Sequence, residues 1–291
     1  MQNKNTLSAC ISNELVNIVT PEFTPSDLNV FDYCCFLAKN KGTSEIKIDY
    51  GDLKNIVFKN RNITNKELFD NINDLSKKLL QCWICNENSE HTSFDTFVLF
   101  QRFKSDINEQ ILYVQVSEAW SHLLNNMTCN FTMFEIEEYI SFKRKSSKIL
   151  YKQLAKYRGG YKKSETGTCW WKPSVEEFRI LFDISEKERT RNIKTRYIDP
   201  AIKEIEHLFK KLEVKVVKKG NSIVGYEFNY ILNDNVGPLE KTNPIAIPPE
   251  VKAVKEIQKN KAQAPKTRFH NFEQREYSDE FYDDLVRRKL M

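Results

Sequence analysis

Twice along this chain a capped, amphipathic helix is followed by two β-rich runs that meet at a polar turn. That repeated order restricts the fold more than any single residue does. In the first instance "TNKELFDNINDLSKKLL" opens with Thr64 and Glu67 at capping-box spacing and keeps Leu68, Ile72, Leu75 and Leu79 on one face. The strand candidates "FVLFQRF" and "QILYVQV" follow, around the polar link "KSDINE". In the second, Ser174 and Glu177 make another box at the head of "VEEFRILF", whose buried side is Phe178, Leu181 and Phe182. "DIS" predicts a tight turn into a longer helix from about Glu186 to Leu212, after which "EVKVVKK" and "SIVGYEF" flank the turn signal Gly220 and Asn221. Helix, helix, hairpin is the order of a winged helix-turn-helix. The expected fold is therefore α+β: two tandem winged helix-turn-helix domains over residues 10–130 and 131–232, followed by a flexible, mostly disordered linker and tail at 233–291. The halves share an order of elements without visible sequence identity.

Other segments fill the frame. Residues 12–19 and 26–39 read as helices, "EIKI" as a short strand and "DYGDLKNIV" as the start of another helix. Between the repeats "FTMFEI" reads as extended and "SSKILYKQLAKYR" as a helix ended by Gly159 and Gly160. From Asn233 onward the chain turns rich in Pro, Lys and small residues, the composition of a linker.

Several classes of function are hard to fit. No apolar run approaches the roughly 18 residues of a membrane span, and "MQNKNTLSAC" lacks a signal-peptide core, so a cytoplasmic protein without a membrane partner is expected. The seven cysteines are odd in number and two are adjacent, Cys34 and Cys35, which suits reduced thiols better than a disulfide framework. Cys82 and Cys85 form a CxxC without a second pair or an HxxxH, so thiols are expected there and not zinc. The four histidines (91, 122, 207 and 270) are scattered, and no GxxxxGK[ST] occurs. No neighbour activates any of the twelve tyrosines as a nucleophile. The expectation is a binding protein with no catalytic residue, metal or cofactor.

Charge points to a polyanion. Net charge is only +5, yet nine Lys or Arg residues and no Asp or Glu lie between Lys143 and Lys163. Contacts to a DNA backbone are expected from Lys143, Arg144, Lys145, Lys148, Lys152, Lys162 and Lys163, and from Lys218 and Lys219 at the second hairpin tip. The first hairpin differs, because Asp106 and Glu109 offset Lys104 there, which suits protein contacts better. On the helix predicted over 186–212, Ile193, Tyr197, Ile198, Ala201, Ile202, Ile205, Leu208, Phe209 and Leu212 share one arc. Arg189, Asn192, Arg196 and Lys203 cluster opposite, with Thr195 and Asp199 at the border and Arg191 and Lys194 on the flanks. Arg can take guanine O6 and N7, Asn adenine N6 and N7, and Thr a thymine methyl, so this mixture can choose among bases. The competing reading is a solvated face laced by pairs to Glu186 and Glu188. Pro200 either follows a new cap at Asp199 or kinks one continuous helix; the single apolar arc favours the kink.

Four stretches taken together, "SSKILYKQLAKYR", "WWKPSVEEFRILFDI", "RTRNIKTRYIDPAIKEIEHL" and "LEVKVVKKGNSIVGYEF", resemble the iteron-binding plasmid replication initiators of the RepB/RepA/RepE type. The resemblance covers roughly residues 10 to 232 and is densest over 146–228. It implies double-stranded origin repeats as the ligand, with base reading by Arg189, Arg191, Asn192, Lys194, Thr195 and Arg196. It also implies that the first domain contacts the backbone and dimerises. Monomers in equilibrium with homodimers would start replication while dimers repress the protein's own promoter, and the host initiator and replicative helicase would be partners. The end of the chain, "TRFHNFEQREYSDEFYDDL", resembles tails of replication proteins from Gram-positive bacteria and their mobile elements. Two other readings stay open: a winged-helix transcriptional repressor, and a DNA-nicking enzyme, for which the paired metal histidines are missing.

Overall fold

A computed structural model describes residues 8–59, 61–84, 98–125, 131–156 and 168–233. The expected linker and tail beyond 233, together with Lys162, Lys163 and Cys85, lie outside the described residues.

The first half starts with strand β1 (Ser8–Ser12), one helical turn α1 (Asn13–Val16) and the two-residue strand β2 (Ile18–Val19). One helix was expected over 12–19, but Leu15, Val16, Ile18 and Val19 are all buried, and an unbroken apolar run fits either period. Next comes α2 (Pro25–Ala38), capped by Thr24 in a reciprocal box with Asp27 and started by Pro25, whose missing N–H costs nothing there. It is buried on nearly every side and forms the axis of this half. β3 (Ile46–Asp49) leads into α3 (Tyr50–Asp52), which continues as a π-turn over Leu53–Val57. α4 (Asn65–Leu79) carries the Thr64–Glu67 box read from sequence and buries Leu68, Ile72 and Leu75. β4 (Trp83–Ile84) pairs with β2, and β5 (Phe100–Asp106) and β6 (Ile111–Val116) complete an antiparallel sheet of order β3-β6-β5. The hairpin turn falls at 107–110 and not at 104–109, because the Asp106 carboxylate accepts from the amides of Asn108 and Glu109 and Gln110 takes the left-handed conformation.

β7 (Phe131–Glu135) pairs antiparallel with β1, Phe134 opposite Ala9, and leads into α5 (Ile136–Ser141) and α6 (Lys145–Lys156). The expected boundary at 130/131 falls just before β7, which pairs back to β1 across it. In the second half β8 (Cys169–Trp171), α7 (Val175–Phe182), α8 (Thr190–Ile193), α9 (Asp199–Ile205), β9 (Phe209–Lys219) and β10 (Ser222–Leu232) form a winged helix with sheet order β8-β10-β9. Its core stacks Phe178 on Phe182 at 3.9 Å and Trp171 on Phe228 at 5.2 Å. At Gly225 a Cβ would stand 2.7 Å from the Pro173 carbonyl oxygen, which also accepts from the Tyr226 amide. Glycine lets β10 run directly against the entry to α7.

Helix α6 joins the halves, and it corrects the charge reading. Lys152 is buried with its Nζ 3.0 and 3.1 Å from the two oxygens of Asp32, a pair only 4% and 1% exposed, and Tyr139 donates its hydroxyl to the same carboxylate. Lys148 is buried as well; its ammonium donates to the Tyr139 carbonyl at 2.6 Å and lies over the Tyr139 ring. Neither lysine can meet a phosphate, because the face of α6 that carries them packs on α2 and α5. Lys145 spans the halves, donating to the Thr20 carbonyl and to Asp183, both at 2.8 Å. At the far end of α6, Tyr230 of β10 donates to the Leu154 carbonyl.

Burial pulls the Lys148 ammonium down to about 7, with Asp32 and Glu204 opposing that fall and Lys152 adding to it. Between pH 7 and the ordinary lysine range the unfolded chain holds a proton at this position that the folded chain lacks, so stability should rise with pH there, by up to about 1.4 kcal/mol per unit. Lys148→Met should remove this rise relative to the unaltered protein in urea titrations between pH 7 and 8; the buried thiols of Cys34, Cys35 and Cys82 ionise first in the unfolded chain, near the ordinary thiol pKa of about 8.5, and oppose the rise at higher pH in both proteins alike.

Candidate nucleic-acid interface

The second helix-turn-helix is fixed from both ends. Ser174 accepts from the Glu177 amide while Glu177 accepts from that of Ser174, starting α7 as the sequence predicts. The helix stops at Asp183, in the left-handed conformation, and Ile184 turns its amide back to the Arg179 carbonyl. Arg179 then holds the turn: its guanidinium donates to the carbonyls of Ser185 and Glu188 at 2.8 and 2.6 Å and to the Thr190 hydroxyl at 3.2 Å. Sequence reading passed over Arg179, because its partners lie across a turn and not at helical spacing.

The expected helix over 186–212 runs from Thr190 to Leu208, with α8, a π-turn over Lys194–Ile198, α9 and a final 3-10 turn in succession. Phe209 and Leu212 belong to β9. Backbone dihedrals stay helical through Pro200, so the single-helix alternative holds; the device is a π-turn. The Asp199 amide bonds the Lys194 carbonyl, five residues back, and the widened turn accommodates a proline that would clash with the carbonyl four residues before it. The same widening brings Lys194 Nζ within 2.6 Å of Asp199 Oδ1. Ile193, Ile198, Ala201 and Ile205 are fully buried, so the helix is anchored on both sides of the proline.

On the outer face Arg189, Arg191, Thr195 and Arg196 are exposed, and Asn192 and Lys194 half-buried. Arg189 stands at the N-cap, in extended conformation, so it projects from the mouth of the helix and not from its flank. One carboxylate organises the stripe. Glu188 accepts from Asn192 Nδ2 at 2.8 Å through one oxygen and from Arg196 at 2.7 Å through the other. These bonds, that from Asn192 first, hold its carboxyl below the usual range, so it stays ionised at neutral pH. Glu188 thus does pair on this face, and its pairing sets the geometry of Asn192 and Arg196. Thr195 donates its hydroxyl to the Asn192 carbonyl and offers its methyl outward. Arg189 and Arg191 form no side-chain ion pair or hydrogen bond among the described residues.

The wing lies beside this face. β9 and β10 are eleven residues each and turn at Gly220, with φ +63°, so that exposed Lys218 and Lys219 sit at the tip. Lys143 and Arg144, in the turn before α6, are exposed and stand against the other flank of the helix. Among the described residues of the first half there is no matching stripe: α4 presents Glu67, Asp70 and Asp74 beside Lys66 and Lys77, which pair with Asp70 and Asp74. No grouping of three or more His, Cys, Asp or Glu residues fit to hold a metal occurs among the described residues, and no described helix is long and apolar enough to cross a membrane.

Two winged helices in tandem, the second with an Arg and Asn stripe on its second helix and a lysine-tipped wing, define a DNA-binding protein. Residues 9–155 match the initiator replication protein family over its first winged helix and residues 174–230 match the second, and the chain belongs to that family. The first match ends within α6. A probable replication protein of Bifidobacterium longum (strain NCC 2705) is 28% identical over 222 residues, 75% of this chain and 71% of the relative. The crystal structure of the Pi initiator protein in complex with iteron DNA shares the fold, with TM-score 0.59 at 16% identity over 80% of this chain and all of that one.

Proposed function

We propose that this protein starts plasmid replication by binding directly repeated origin sites, iterons, through its second winged helix, and that it performs no covalent chemistry of its own. The observation that carries the reading is the stripe of exposed Arg189 and Arg196 with half-buried Asn192 at the N-terminal end of the second helix of a helix-turn-helix, in a chain of the initiator family. Arg191, Lys194 and Thr195 complete the base-reading end, and Lys143, Arg144, Lys218 and Lys219 hold the flanking phosphates. Monomers open the origin and recruit the host initiator and helicase, and homodimers formed through the first domain repress the gene. Family membership supports these last roles.

The gene together with its adjacent repeats should sustain a plasmid that cannot otherwise replicate. Failure of the replicon with intact repeat binding would leave a repressor. Equal affinity for repeat and scrambled duplexes at two salt concentrations would sink the sequence-specific reading altogether.

A further inference from the structure

A basic depression at the junction of the halves brings Lys143 and Arg144 together with Lys203, which has no role in the reading of the second helix. The turn at Lys143 and Arg144 forms one wall and α9 the other, through Lys203, with Thr195 and Pro200 behind them. Two carboxylates also face it, and both are committed. Glu204 accepts from the backbone amides of Lys143 at 2.5 Å and Arg144 at 3.3 Å, one on each oxygen, and Asp199 pairs with Lys194. The Thr195 hydroxyl is spent within its own helix. The side chains of Lys143, Arg144 and Lys203 are exposed and have no partner among the described residues. What remains to meet a ligand is three cations brought together by one carboxylate.

The position fits one ligand class. Lys203 lies seven residues beyond Arg196, about 10 Å along the helix at 1.5 Å per residue. A major groove is about 12 Å wide, so with the N-terminal end of the helix on the base edges this depression reaches the backbone at the groove's rim. From this geometry we infer that Lys143, Arg144 and Lys203 form a clamp for one phosphodiester of the bound duplex, and that Glu204 is its positioning residue. The inference rests on the duplex-binding reading above. Because Lys143 and Arg144 are carried by the first domain and Lys203 by the second, a clamped phosphate is held by both. DNA binding and the junction of the halves are then linked, and loosening the junction must weaken the complex.

Glu204 gives the test its sign. Taking a negative charge away from a DNA interface should strengthen binding if only the summed field matters. If Glu204 positions the clamp, Glu204→Ala should instead weaken it. The measurement is fluorescence anisotropy of the full chain on a duplex carrying one repeat from the DNA beside its own gene, titrated with salt. Lys203→Gln should bind about five- to tenfold more weakly on every sequence and flatten the salt slope by about one, leaving base preference unchanged. Neutral methylphosphonate linkages, moved one step at a time along the groove rim, should weaken the unaltered protein most at one position and weaken Lys203→Gln less there, since only Lys143 and Arg144 remain to meet that phosphate. Inorganic phosphate at millimolar concentration should not compete, since a free anion lacks the groove contacts. The clamp is overturned if Lys203→Gln keeps the full salt slope, or if Glu204→Ala binds more tightly while remaining folded by circular dichroism. If the unaltered protein binds no repeat duplex at all, the duplex-binding reading itself fails.

Discussion

Lys152→Ala is expected to destabilise the protein by about 3–5 kcal/mol, which in a unit of this size lowers Tm by roughly 6–20 °C, while leaving the salt dependence of DNA binding unchanged. The size follows from what is left behind. Asp32 is 1% exposed in the middle of α2, and without Lys152 its carboxylate keeps only the Tyr139 hydroxyl and loses its counter-charge. Replacing the whole group, Asp32→Leu with Lys152→Met and Tyr139→Phe, should recover most of the loss, since taking ions out of water consumes most of what their attraction returns. The phenol must be changed too, because an orphaned buried hydroxyl costs about 1–3 kcal/mol. Chemical denaturation of the single, double and triple variants gives the coupling energy. If Lys152→Ala instead keeps its stability and reduces the salt slope by one, Lys152 is a phosphate ligand and its place between α2 and α6 is wrong. The linkage matters beyond stability, since α6 carries the junction of the halves and directly follows Arg144.

That pair also marks where the sequence stops being informative. Capping boxes at Thr64 and Ser174, the apolar arc through Ile193 and Ile205 and the Gly220–Asn221 turn are local patterns, and each corresponds to an element of the structure. A run of positive charge is not local in the same way. From "KRKSSKILYKQLAK" alone Lys148 and Lys152 look like Lys143, and only the arrival of Asp32, 120 residues away, turns them inward. Short strands such as β1 and β8 are not legible because three to five residues carry too little periodicity, and the pairing of β7 with a strand more than a hundred residues earlier leaves no local trace. Within the candidate site the outward-facing residues of the second helix could be named from residue types and spacing. Their organisers could not, since Arg179 and Glu204 act across a turn and across the junction. Pro200 did signal an irregularity, although the sequence offers no way to tell a π-turn from a plain kink.

Arg196→Ala should reduce the preference for repeat over scrambled duplex by roughly 5- to 150-fold, the worth of one bidentate base contact of about 1–3 kcal/mol, with a smaller change in affinity for scrambled DNA. Arg196 is 63% exposed and already oriented by Glu188, so binding exchanges one partner of a charged group for another. Glu188→Ala should show the same loss of preference by a different route. Without that carboxylate, Asn192 and Arg196 lose their common anchor, while phosphates of any sequence meet one negative charge fewer. Affinity for scrambled DNA should therefore rise, and the ratio of the two dissociation constants should fall. The Glu188 carboxyl is held below the usual range, so it is fully ionised above the ordinary carboxylate pKa and gains its proton only as pH drops through its lowered value. Preference in the unaltered protein should accordingly stay flat from pH 8 to 5, whereas a reader organised by a histidine would lose or gain it near pH 6.5. Lys218→Ala at the wing tip supplies the contrast, weakening both duplexes alike and flattening the salt slope. Should Arg196→Ala and Glu188→Ala both behave as Lys218→Ala does, the second helix holds the backbone only, and base choice must come from the shape of the repeat.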